Sequence, residues 1–185
     1  MPRVSKAQAA QNRQRTVQAA AELFRERGVD HVSVQDIMAA VGLTHGGFYR
    51  QFDSKEALVP EAARHAYDTM AARLADLDAS AEDHAAAQRE FIRTYLSPTH
   101  RDHPGKGCPT AGLIHDITRS DNADTRDLLT DGVAKLGQWL NQPGRDGVVT
   151  VCTLLGALLV SRAAAGTPLS GQVLERVSAE LASPR

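Results

Sequence analysis

The chain has 185 residues, 42% hydrophobic and 23% charged, with a formal net charge of −1 at pH 7. That apolar content excludes a wholly disordered chain and suffices for one good core, or a small domain joined to a larger one. The longest apolar stretch, residues 148–160, falls short of the roughly 20 residues of a membrane span, no hydrophobic signal region opens the chain, and Cys108 and Cys152 make no disulfide framework, so a soluble cytoplasmic protein is expected.

Helices are predicted throughout. Val17, Ala20, Ala21 and Phe24 fall on one helical face, and Gly28 suits the stop after it. Ser33 caps the next helix with Asp36 in the capping-box position, while Val32 and Ile37 flank the cap as a hydrophobic staple. Val34, Ile37, Met38 and Val41 keep the helical spacing until Gly42. Thr44 then caps a third helix, with Leu43 and Phe48 as its staple, and Ser54 caps a fourth with Glu56 in its first turn. Ser80 and Asp83 open a helix whose core face is Phe91, Ile92, Tyr95 and Leu96. Residues 98–109, rich in His, Pro and Gly, read as a loop. A short helix at about 111–118 and a longer one at about 124–140 follow, the latter with Leu129, Val133, Leu136 and Leu140 on one side. Gln142-Pro143-Gly144 breaks the chain. Residues 148–165 form a helix apolar on nearly every side, which must be covered on several faces, and a last helix spans about 170–182.

Charge is uneven. Residues 1–55 hold eight Lys/Arg against five Asp/Glu, a net +3, and the remainder is −4. A basic N-terminal part on an acidic body suits either an end that binds a polyanion or an ordinary solvated surface. Two short helices joined by the Gly42-Leu43-Thr44 turn fit a helix-turn-helix, a pattern that a plain helical hairpin shares. The string from Val32 to Leu58, with Ala40-Val41-Gly42-Leu43-Thr44, then Tyr49-Arg50-Gln51-Phe52 and Lys55-Glu56-Ala57-Leu58, resembles the DNA-binding signature of TetR-family transcriptional regulators. The preceding Ala20–Gly28 segment is similar as well. Gln51 stands where that family often has His; it keeps a donor and an acceptor.

A recognition helix turns short or polar side chains to the major groove and docks its other face on the core. Phe48 and Phe52 make that core face; Gly46 and Arg50 lie opposite, with His45 and Tyr49 on a flank. Gly46 and Gly47 cost on the order of 1 kcal/mol each relative to Ala, which fits a backbone that approaches DNA or a neighbouring helix closely, or a loosely wound helix start. The resemblance implies phosphate contacts from Tyr49 and from Lys55 with the helix start beside it. Ser33 and Gln35 open a helix that crosses the backbone, and Thr44 precedes the recognition helix. Arg3, Lys6, Arg13 and Arg15 read as an arm toward phosphates or the minor groove, or as a solvated tail. The expected DNA-binding residues are Ser33, Gln35, Thr44, His45, Gly46, Gly47, Tyr49, Arg50 and Lys55.

The expected fold is all-α: a three-helix DNA-binding domain over residues 1–53 and a larger helical domain over 54–185 for ligand binding and dimerisation. The resemblance implies a homodimer through about 148–182, with Leu155 and Leu158 on the shared surface, that reads a palindromic or near-palindromic double-stranded operator. It also implies a small-molecule effector in a cavity among the middle helices. Tyr95, Cys108, His115 and Trp139, with Tyr67, Met70 and Phe91, are candidates for its lining. The Gly107-Cys108 segment is similar to one that opens the sixth helix in a branch of these regulators, where some members sense oxidants or electrophiles. Lys106 and a helix start are surroundings that favour a reactive thiolate, and Cys152 is expected to be inert inside its helix. No His-x-x-x-His pair with a Glu, phosphate loop or nucleophile elbow is present, and His100, His103 and Cys108 in one Pro/Gly loop fall short of a metal site. Neither enzyme activity, cofactor nor metal is expected. The rival reading is a helical ligand-binding or scaffold protein without sequence-specific DNA binding.

Overall fold

The computed structural model describes residues 5–182, which form ten α-helices and one 3-10 turn. Arg3 lies outside the described residues. Helix α1 (Lys6–Arg27) starts at Ser5, whose hydroxyl accepts from the Gln8 N–H. Lys6, Arg13 and Arg15 therefore sit on a helix, not on an arm. Val17 is half-buried, and Thr16 takes the centre of the face, its hydroxyl donating to Asn12 O at 2.9 Å. Bonding to the carbonyl one turn back lets a hydroxyl enter a core without an orphaned donor.

Helix α2 (Val34–Ala40) carries the expected capping box: the Ser33 hydroxyl accepts from Asp36 N–H, and the Asp36 carboxylate accepts from Ser33 N–H at 2.8 Å. The Ser33 hydroxyl, which also donates to that carboxylate at 2.5 Å, and then the Ser33 N–H hold Asp36 below the usual carboxylate range. Gly42 turns the chain at φ +69°, a conformation other L-residues rarely adopt, and α3 (His45–Phe48) follows at once. Thr44 makes no side-chain cap bond there.

Helix α4 (Lys55–Ser80) is about 39 Å long by its rise per residue and runs through both cores. Its first half gives Leu58, Ala62, Ala63 and Ala66 to the core built by Phe24, Ile37, Met38, Phe48 and Phe52. Its second half gives Leu74 to the core of Phe91, Ile92, Tyr95, Leu154 and Leu158. The predicted domain boundary falls at its start.

Helix α5 (His84–Tyr95) is capped by Asp83. The stretch expected to be a loop instead holds α6 (Pro98–Asp102) and a 3-10 turn (Pro104–Lys106) before α7 (Pro109–Arg119). All three prolines open these elements. At a first helical position the missing N–H is not needed and the fixed φ is already helical, so the prolines start structure rather than interrupt it. Helix α8 (Ala123–Leu140) packs against α9 (Gly147–Ala163), and α9 against α10 (Pro168–Ala182). Within this chain α9 is covered on one side only. Leu154 and Leu158 are buried, whereas Val148, Val149, Val160 and Cys152 are exposed. Leu158 therefore belongs to the core, and Cys152 is not shielded as expected. Among the described residues no helix is long and apolar enough to cross a membrane.

Candidate functional site

The three N-terminal helices bury Phe48 and Phe52 and leave the other side of α3 in solvent. His45, Gly46, Tyr49 and Arg50 are exposed, Tyr49 to 58%, and Gly47 is half-buried. The His45 and Tyr49 rings meet edge to face at 5.5 Å. A Cβ on Gly46 would meet nothing within 4 Å, so no neighbouring helix requires that glycine. Ser33 and Gln35 are exposed at the start of α2, as is Thr44 ahead of α3. Gln51 is occupied internally, donating to Gly47 O at 3.0 Å.

The remaining basic residues of this head are mostly tied down. Lys55 Nζ turns inward and donates to Val29 O at 2.9 Å and Val32 O at 3.1 Å. Its amine pins the α1–α2 connection to α4, and the solvent-facing charge expected of a phosphate contact is absent. Arg13 pairs with both carboxylate oxygens of Glu61 at 2.6 and 2.7 Å and lies over the Phe52 ring, which together with the helical backbone removes it from any arm. Arg15 donates to Val41 O at 2.8 Å.

The body holds a cavity of about 640 Å³ among α4, α5, α6 and the start of α7. Met70, Phe91, Tyr95 and Cys108 line it; so do Arg73 and His100, which sequence reasoning missed. The signal for Arg73 was present: Ala66, Met70 and Arg73 form one helical stripe on α4. His100 donates from Nδ1 to Tyr95 O at 2.7 Å, and its Nε2 accepts from Cys108 N–H at 2.9 Å. Burial, followed by the charges of Arg162 and Arg73, pushes its pKa down to about 4. His103 Nδ1 donates to Thr99 O at 2.8 Å. Both rings thus serve the backbone of this segment. Cys108 is 3% exposed.

His115 and Trp139 do not line the cavity. His115 is exposed on α7. Trp139 is held elsewhere: its indole N–H donates to Asp78 at 2.7 Å, and its carbonyl accepts from His84 Nε2 at 3.0 Å. His84 also donates to Asp78 at 2.6 Å, which raises its pKa and, with the Trp139 bond, lowers that of Asp78. Tyr67 bonds Thr110 at 3.1 Å and, through burial, has its pKa pushed up to about 12.

One helix joins cavity and head. Cys108 and Pro109, where α7 begins, form cavity wall, and farther along α7 Leu113 and Ile117 enter the head core. Between them Asp116 accepts from the Val29 N–H, its pKa raised by burial.

Residues 17–62 match the family described as bacterial regulatory proteins, tetR family. Over 84 residues, 45% of this chain, the sequence is 34% identical to the HTH-type transcriptional repressor KstR2 of Rhodococcus jostii. That match spans 41% of the relative, so less than half of its length is represented. Reduced NemR from E. coli has the same fold, with a TM-score of 0.74 at 21% identity over 93% of this chain and 95% of that one. A TetR transcriptional regulator from Chloroflexus aurantiacus also gives a TM-score of 0.74, at 22% identity over 95% of this chain and 94% of that one. Residues 17–62 thus carry a helix-turn-helix segment similar to that of the tetR family, and along nearly its whole length the chain shares the fold of these two structures.

Proposed function

We propose that the protein is a DNA-binding transcriptional repressor that leaves a palindromic operator when a small molecule occupies the cavity. The observation that carries this reading is α3: a four-residue helix whose apolar side is fully used in the core and whose other side presents His45, Gly46, Tyr49 and Arg50 to solvent. Such a surface supports base contacts from His45 and Arg50 and backbone contacts from Tyr49, Ser33, Gln35, Thr44, Gly47 and the start of α4. The path through α7, from Cys108 to Asp116 on Val29, supports coupling between cavity and head. The role is that of a binding protein in the cytoplasm and requires no catalysis.

Two copies would present two heads. The exposed apolar strip of α9, with α10 beside it, supports a homodimer through that surface. A second mode of release also has an observation behind it: Cys108, though buried, belongs to the cavity wall, which supports reaction with an electrophile held there. Cys108→Ser tests that mode, which fails if electrophile treatment changes operator affinity equally in the variant.

Selection from random duplexes, followed by gel shift at graded salt, tests the main reading. One duplex should be preferred, with affinity falling as salt rises because phosphate contacts release counterions. Tyr49→Ala should weaken all duplexes alike, whereas Arg50→Ala should change the preferred sequence. A protein that prefers no duplex over bulk DNA is instead a helical ligand-binding or scaffold protein.

A further inference from the structure

The cavity wall is basic, and much of its charge has no acidic partner. Among the described residues four basic side chains line it, Arg25, Arg73, Arg93 and Lys106, and no acidic one does. Arg93 is neutralised by both oxygens of Glu90 at 2.6 and 2.8 Å. Arg25 donates to the neutral carbonyl of Gly105 at 3.0 Å and makes no ion pair. Arg73 and Lys106 are exposed, and among the described residues their side chains make neither a hydrogen bond nor an ion pair. Behind the wall, half-buried Arg162 donates only to the carbonyls of His100 and Arg101, at 2.9 and 3.1 Å. Burial lowers the pKa of Arg25 and of Arg162, so their charge favours an opposite charge beside it, whereas Arg73, Arg93 and Lys106 stand in solvent at the mouth.

The floor of the cavity adds an independent sign. Tyr95 is 4% exposed, and its hydroxyl makes no well-formed hydrogen bond; its neighbour is the Cys108 thiol, a weak partner. Buried hydroxyls are nearly always paired, so a poorly paired one on a cavity wall marks a place for a ligand acceptor. Met70 and Phe91 supply an apolar wall beside it. A volume of about 640 Å³ lies within the range of small-molecule sites.

We propose that the cavity binds an organic anion with an apolar body: Met70 and Phe91 hold the body, Arg73 and Lys106 supply the counter-charge, and Tyr95 Oη donates to a ligand oxygen. This rests on the cavity being the effector site and gives the effector its chemical class. Carboxylate and phosphate head groups share this chemistry.

Calorimetric titration of the full-length protein with matched probes tests it: decanoate, decyl phosphate, decanol and decylamine, then 2-naphthylacetate and 2-naphthaleneethanol. An acid should bind with one site per chain, roughly tenfold more tightly than its alcohol, as a charge-assisted bond implies, and decylamine should not compete. Decanoate against decyl phosphate identifies the head group. Arg73→Gln with Lys106→Gln should weaken the acid roughly tenfold and leave the alcohol within about twofold. Tyr95→Phe should weaken the acid while the circular dichroism stays unchanged. Alcohols or amines that bind as tightly as acids, acids that do not bind, or a folded Arg73/Lys106 double variant with unchanged acid affinity each overturn the proposal. An acid that binds through these residues without altering operator affinity upholds the ligand chemistry and ends the effector reading. Operator release by decanol or decylamine alone keeps the effector reading and ends this one.

Discussion

The backbone N–H of Cys108 donates to Nε2 of His100 at 2.9 Å, which fixes the histidine as the neutral tautomer protonated on Nδ1. The proton on Nδ1 goes to Tyr95 O, so one ring joins the end of α5 to the start of α7 across the cavity wall. Protonating Nε2 would break the Cys108 bond and add a cation near Arg73 and Arg162.

Stability should therefore depend on pH through His100. Its folded pKa of about 4 lies below the ordinary 6.5, so the unfolded chain takes up a proton that the folded protein refuses. Stability from this group is full above about pH 6.5 and falls as pH drops toward 4, by on the order of 3 kcal/mol in total. His100→Gln keeps an acceptor for Cys108 N–H and removes the titration. Urea unfolding at pH 7.5 and 4.5 should show the variant losing less stability between the two than the wild type.

Lys55 supplies a second prediction, because its amine lies between two carbonyls of the α1–α2 connection. Lys55→Met should lower unfolding free energy by roughly 1–3 kcal/mol, the range for losing charge-assisted bonds at a half-buried site. Weaker binding to every duplex would accompany the lower melting temperature. A residue that only touched phosphate would leave the melting temperature unchanged.

The contrast between these two residues shows what a sequence can reveal. Ser33 with Asp36, and Ser54, were legible because a cap is decided within three or four residues; Ser80, expected with Asp83 to open α5, instead ends α4, and Asp83 alone is the cap. The face Phe91, Ile92, Tyr95 and Leu96 was legible because it is periodic, and all four are buried. The inward turn of Lys55 was not legible because its acceptors lie 23 and 26 residues away. Size and polarity suggested Trp139 and His115 for the cavity, but neither property says which way a helix is turned; contact with Asp78 decides it for Trp139. The prolines of residues 98–109 looked like breakers because a first helical position tolerates the same residue that an interior one does not.

Gly147 gives a third prediction. A Cβ there would lie 1.8 Å from Gly137 O and 2.8 Å from Asn141 N, both backbone atoms of the α8 end. Neither can move aside as a flexible side chain would, so α8 and α9 would have to separate. Gly147→Ala should destabilise the body by roughly 1–3 kcal/mol or more, the usual cost of overpacking. Gly156→Ala, whose Cβ would meet nothing within 4 Å in the single chain, is the control that should leave the monomer's stability intact.

Helix α9 separates folding from assembly. Leu158 is fully buried in the chain's own core, whereas Val149 is 63% and Val160 48% exposed on the opposite side. Leu158→Glu would place an unpaired carboxylate inside that core, at a cost of several kcal/mol, and should yield unfolded or aggregated protein. Val149→Glu and Val160→Glu should leave the chain folded and, if α9 forms the shared surface, place like charges where two copies meet. Light scattering coupled to gel filtration should then report a dimer for the wild type and a folded monomer for the exposed-site variants. The monomer should also bind a two-half-site operator more weakly, because each head would act alone. A folded Val149→Glu/Val160→Glu protein that remains dimeric would place the interface elsewhere.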